Sequence, residues 1–167
     1  MRVNLRDENN IPELMRTLRA LKGKEISVGV HEGEAELSMI AAVHEYGVEI
    51  QVTDKMRGWF AYSGYPLKAT TTVITIPERS FIRSGFDENV GKIERKVREL
   101  MPAVIDNNMD PDAFMDKIGL EFAGLIQKKL RSLQDPANSS MTTERKGSSN
   151  PLIDSGRLVG AIQHRVE

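Results

Sequence analysis

Apolar residues first recur at helical spacing: Ile11, Leu14, Met15, Leu18 and Leu21, with Arg16, Arg19 and Lys22 on the other side. That pattern predicts an amphipathic helix. Pro12 suits its first turn, and Gly23 suits its stop. Glu25 to Val30 then alternates polar and apolar residues, which predicts a strand. His31 to Glu36 forms a polar, acidic link. Leu37 to Tyr46, with Met39, Ile40, Ala42 and Val43, predicts a short helix that Gly47 ends.

From Val48 to Pro77 the period changes. Val48, Ile50 and Val52 alternate with polar residues, and Thr71 to Ile76 is rich in β-branched residues, so both runs predict strands. Between them lie Trp59, Phe60, Tyr62 and Tyr65, with Gly58, Gly64 and Pro66 as turn makers. The stretch 48–77 is expected to be a long hairpin arm with an aromatic tip. Its rings either pack on the domain's own sheet or form an exposed arm that inserts into a neighbour.

Beyond Pro77, Phe86, Val90, Ile93, Val97, Leu100 and Val104 recur in steps of four and three. This is the strongest periodic signal in the chain and predicts a long helix, kinked or ended by Pro102. Its stripe is most simply core, with packing on a partner subunit as the other use. Asp110-Pro111-Asp112 predicts the start of a further helix, with Met115, Ile118, Phe122, Leu125, Ile126 and Leu133 as its buried face. Residues 134–150 lack periodicity and carry many serines and threonines, the pattern of a flexible loop. Apolar order then returns: Asp154 or Ser155 can cap a short helix bearing Leu158 and Ile162, and Gln163 to Val166 can add an edge strand. The expected fold is a single α+β domain over 1–167. A small, mostly antiparallel sheet with a long hairpin packs against two longer helices and shorter N- and C-terminal helices.

Composition narrows the function. The 167 residues are enough for one domain with a hydrophobic core. A formal net charge of -1 argues against a protein that coats nucleic acid. With no cysteine, disulfides, thiolate zinc sites and cysteine nucleophiles are excluded. The N-terminus lacks the apolar segment of a signal peptide, and no apolar run reaches membrane-span length. A soluble protein made inside a cell is expected.

Catalytic patterns are missing. His44-Glu45 starts like a zinc-protease helix, but no histidine follows one turn later. His31 and His164 read as solvated. Ser84-Gly85 and Ser155-Gly156 lack the strand–turn–helix frame of a nucleophile elbow, and Gly23-Lys24 has no upstream glycine for a phosphate loop. The expectation is a non-enzymatic protein with no metal and no cofactor.

Three segments carry a family resemblance. Ala42-Val43-His44-Glu45-Tyr46-Gly47, Ile76-Pro77-Glu78-Arg79-Ser80-Phe81-Ile82-Arg83 and Asn150-Pro151-Leu152-Ile153-Asp154-Ser155-Gly156-Arg157-Leu158 occur in that order. The ordered set resembles the head–tail joining or tail-completion proteins of tailed phages, which include minor tail proteins of the Z type. Ser80 stands where that family often has proline. The motif positions are His44, Glu45, Gly47, Pro77, Phe81, Asp154 and Gly156.

The resemblance implies a structural virion protein of the neck or tail, present in the host cytoplasm during assembly. It would form a ring with copies of itself, six by analogy with tail symmetry, joining the head connector or adaptor to the tail terminator or tail tube. Contact with DNA in the lumen would be passive, and no membrane is involved. Trp59, Phe60, Tyr62, Tyr65, Arg79, Arg157 and Leu158 are the expected interface residues, and the loop before Asn150 would order on assembly. A binding or regulatory module encoded by a prophage, without a virion role, is the alternative.

Overall fold

The computed structural model of the chain describes residues 9–31, 33, 35–146 and 150–167. Helix α1 spans Ile11–Leu21 and strand β1 Ile26–Val30, as their patterns predict. Helix α2, Ala35–Tyr46, is closed by Gly47 at φ +69°. Strand β2 (Val48–Gln51), helix α3 (Asp54–Tyr62) and strand β3 (Val73–Ile76) follow. The long helices α4 (Ile82–Ile105) and α5 (Pro111–Ser132) come next. Helix α6 (Ser140–Lys146), helix α7 (Arg157–Ala161) and strand β4 (Ile162–Val166) complete the order. The fold is α+β, with the long helices packed on small antiparallel sheets.

The strands form two separate pairs. β4 returns to β1, with Ile26 opposite Val166 and Val30 opposite Ile162. β2 and β3 pair antiparallel, Val48 opposite Ile76, as a hairpin requires. Its tip differs from the expectation. Residues 54–62 form helix α3, and the aromatic rings ride on it. Thr53 accepts the Met56 N–H at 3.2 Å and caps this helix. Arg57 then clasps the returning chain through the Lys68 and Thr71 carbonyls, at 3.0 and 2.5 Å.

Two further expectations change. The segment 134–150 is not loop throughout, because Ser140–Lys146 is helical. Ser139 starts this helix, its Oγ accepting the Thr142 N–H at 3.3 Å. Residues 147–149 of the expected loop lie outside the described residues. In α7 the capping position belongs to Gly156, at φ +80° and with no side-chain bond, rather than to Asp154 or Ser155. Ile162 leaves that helix and begins β4.

Burial explains how the long helices sit. Pro102 lies in the last turn of α4 and does not divide it. Ile93 and Val104 are buried, but Phe86 is half exposed and lies against Phe122 with ring centres 5.4 Å apart. Gly85 and Asn89 take the buried positions at the N-terminal end instead. A Cβ on Gly85 would lie 3.4 Å from Ile126 Cγ1, so α4 and α5 approach closely there. On α5 the buried face includes Phe114, Ala123 and Leu130 beside the expected Ile118 and Ile126.

Candidate functional site

The N-terminus of α4 lacks a cap of its own: Phe81 holds the capping position with no side-chain bond. The first amides of a helix have no partner within it. Here Glu45, from the last turn of α2, supplies the acceptor. Its Oε2 takes the Phe81 and Ile82 N–H groups, both at 2.9 Å. Its Oε1 takes the Arg83 N–H at 2.9 Å, the Ser80 hydroxyl at 2.7 Å and Arg83 Nε at 3.1 Å. Five donors thus converge on a carboxylate that is 3% exposed. Its negative charge also complements the helix dipole. Burial pushes the Glu45 carboxyl up, but the amides of Ile82 and Arg83, the Ser80 hydroxyl and the Phe81 amide together hold it below the ordinary carboxylate value.

The same junction is braced from both sides. Arg83 Nη2 donates to the Glu45 carbonyl at 2.8 Å and to Glu78 Oε1 at 2.7 Å, while its guanidinium lies 4.8 Å from the Tyr46 ring centre. The Arg79 N–H donates to the His44 carbonyl at 2.7 Å. Gly47 lets the chain turn between the two motifs. A Cβ there would stand 2.9 Å from the Glu78 backbone nitrogen, at a positive φ that side chains rarely adopt.

The third segment closes the other end of this structure. Asn150 Nδ2 donates to the Arg131 carbonyl in the last turn of α5 at 2.8 Å, and its Oδ1 accepts the Leu152 N–H at 3.0 Å. Leu152, Leu158 and Val159 then enter one buried cluster with Phe81, Ala41 and Ile126. The three segments are therefore one kernel. The first caps the helix that the second begins, and the third packs on the Phe81 that the second contributes.

The expected site residues divide between this kernel and the surface. His44, Glu45, Gly47 and Phe81 lie in the kernel, with Pro77 directly after β3, Gly156 directly before α7 and Asp154 exposed. Trp59, Tyr62 and Arg157 are exposed, whereas Phe60 and Tyr65 are half-buried. Two expected interface residues are corrected. Leu158 is a core residue. Arg79 is 4% exposed and donates to the Pro136 and Ala137 carbonyls at 2.6 and 3.1 Å, so it ties α5's exit to the kernel rather than reaching a partner's carboxylate. His164, expected to be solvated, donates from Nε2 to Asp116 Oδ1 at 2.7 Å and fills the space above Gly119. Ser80, Arg83 and Asn150 lie within the motifs but outside the expected motif positions and interface residues, Ser80 being marked only as a departure from proline. Their signal was chemical: a hydroxyl, a guanidinium and an amide beside helix ends.

His44 is held at about 4 by burial first, and then by the charges of Arg79 and Lys146. It is thus neutral at pH 7. In the unfolded chain histidine titrates near pH ~6.5. The stability from keeping His44 neutral is complete above that value and drains away as pH falls toward about 4. Glu45 acts in the same direction but lower. Its contribution is complete above the ordinary carboxylate value and is lost as pH falls through its depressed folded value. Urea midpoints should fall steadily below pH ~6.5, and His44→Gln should flatten the upper part of that fall. A profile unchanged by His44→Gln would contradict this assignment.

Compared with protein-family models, curated proteins and solved structures, the chain matches none. No helix among the described residues is long and apolar enough to cross a membrane.

Proposed function

We propose that the chain is a ring subunit of the neck of a tailed phage or prophage particle, joining the head connector to the tail by binding alone. The observation that carries this reading is the convergence of the three resembling segments on one kernel. Segments about thirty to seventy residues apart (Gly47 to Ile76, then Arg83 to Asn150) share the Glu45 cap and the Phe81 cluster. A resemblance spread over the chain thereby corresponds to one physical unit of the fold. Glu45, Ser80 and Arg83 of the kernel are turned on each other, as befits a scaffold that presents surfaces.

The surface for joining is the α3 tip. Trp59 is 53% exposed and Tyr62 93% exposed, and aromatic side chains dominate interface energetics. Trp59 touches Phe60 edge-on at 5.0 Å. Trp59→Ala should therefore change stability by about 1 kcal/mol or less, while joining is severely impaired. Recombinant protein mixed with tail tubes or head connectors and viewed by electron microscopy measures this directly. Failure of the unaltered chain to bind either, with normal particles after deletion of its gene, would refute the proposal and favour a module without a virion role.

A further inference from the structure

The apolar stripe of α1 is only half covered by its own chain. Leu21 packs inward beside α5, and Thr17 bonds to Asn107 at 2.8 Å. Ile11, Met15 and Leu18, one helical face at steps of four and three, remain 66%, 44% and 47% exposed. Lys22 continues that face by a further step of four. Helix α2 has a matching stripe with the same steps: Ala35, Met39, Ala42 and Tyr46 are all exposed. Beside it lies a concavity of about 210 Å³ lined by Ser38, Ala42, Tyr46, Ile82 and Arg83 among others.

These two stripes lie at opposite ends of the protomer. α1 is tied through Thr17 to Asn107, just beyond the C-terminus of α4, and α2 is tied through Glu45 to the N-terminus of α4. α4 has 24 residues, so the ends lie roughly 36 Å apart at about 1.5 Å per residue. A chain cannot cover its own α2 with its own α1. Two different patches that fit each other on separate copies make a head-to-tail contact, which closes into rings or runs on as fibres.

We infer that α1 of one copy docks antiparallel on α2 of the next, with Ile11 against Tyr46, Met15 entering the concavity at Ala42, and Leu18 against Met39. Charge selects this direction. Antiparallel docking brings Lys22 to the α2 end that carries Glu36, and Glu32 and Glu34 precede it in the chain. Glu36 already meets Arg157 of its own chain at 3.2 Å, and a carboxylate can accept a second cation. Parallel docking would instead set Lys22 against Arg83, which sits over the Tyr46 ring. Methionine suits the concavity because its flexible side chain fills irregular space. A contact of this size is weak singly and gains its stability from closure of the ring.

This inference rests on the ring reading above for its closure, but its test is separate. The chain has no cysteine, so introduced thiols report single contacts. Chains carrying Met15→Cys mixed with chains carrying Ala42→Cys should form a disulfide-linked pair under mild oxidation, and the double variant should form a ladder ending in a closed ring. Ile11→Cys should link to Tyr46→Cys and not to Ala35→Cys. Links formed mainly within either single variant would overturn the inference in favour of a two-fold dimer. Unlinked chains would overturn it as well, even if electron microscopy still shows a ring in the neck. A ladder from a chain that never joins particles would leave this interface standing and remove the neck reading instead.

Discussion

Replacing Glu45 by alanine should lower the stability of the fold by about 3–5 kcal/mol. The substitution removes one acceptor group that serves five donors, three of them backbone amides at the start of α4. Phe81 N–H lies in the buried interior, where water cannot replace the lost bond. The guanidinium of Arg83 would keep Glu78 and the Glu45 backbone carbonyl, so the surface part of the junction survives. Glu45→Gln keeps the shape and one acceptor oxygen but turns an NH₂ group toward donors, and should cost about 2–3 kcal/mol. Urea denaturation followed by circular dichroism measures both. A loss below about 1 kcal/mol for Glu45→Ala would mean that the cap is not what holds α4 against α2. The same comparison bears on chemistry: the Glu45 oxygens are committed to amides, so variants here should lose folding and assembly together.

Much of the fold was legible because periodicity and capping signals agreed. The α5 start at Asp110 is an example: its side chain accepts the Asp112 and Ala113 amides, both at 3.0 Å, as Asp-Pro-Asp predicts. Gly47 likewise takes the positive φ that ending a helix there requires. The α3 helix was hidden for a local reason. Gly58 and the aromatic run favour turns and strands, and the capping Thr53 sits two residues after a true strand. Tertiary bonds from Arg57 stabilise the helix against that preference. The α6 helix was hidden by its serines and threonines, which compete with helical bonds until Ser139 caps them.

The candidate site was legible as three segments but not as a junction. No spacing rule brings Glu45 to the amides of residues 81–83, because that contact exists only after α2 and α4 meet. For the same reason Arg79 read as a surface cation. Nothing in its neighbours announces the Pro136 and Ala137 carbonyls that surround it, 57 and 58 positions away. Phe86 shows the converse. Its place on the stripe is correct, yet the close α4–α5 approach at Gly85 turns the helix so that small residues face inward.

Phe81→Ala should be as costly as loss of the cap, at about 3–5 kcal/mol, but by a different route. The ring is fully buried, and it shares its cluster with Leu152, Leu158, Ile126 and Ile162. Removing it strips apolar area from the core and leaves a cavity that helices from three parts of the chain cannot close together. Phe81→Leu, which keeps most of the volume, should cost about 1–2 kcal/mol. The loss should be nearly independent of pH, because no charge is removed. That separates it from Glu45→Ala, whose penalty shrinks in acid as the unaltered chain itself loses the ionised cap. Denaturation midpoints for the two variants across the acid range distinguish these routes, and parallel profiles would contradict the division. Joining assays complete the test. Phe81→Ala should fail only in proportion to the unfolded fraction and recover when the fold is stabilised. Trp59→Ala should fail while folded under the proposed joining role, because its ring is exposed on α3 and lies outside the kernel.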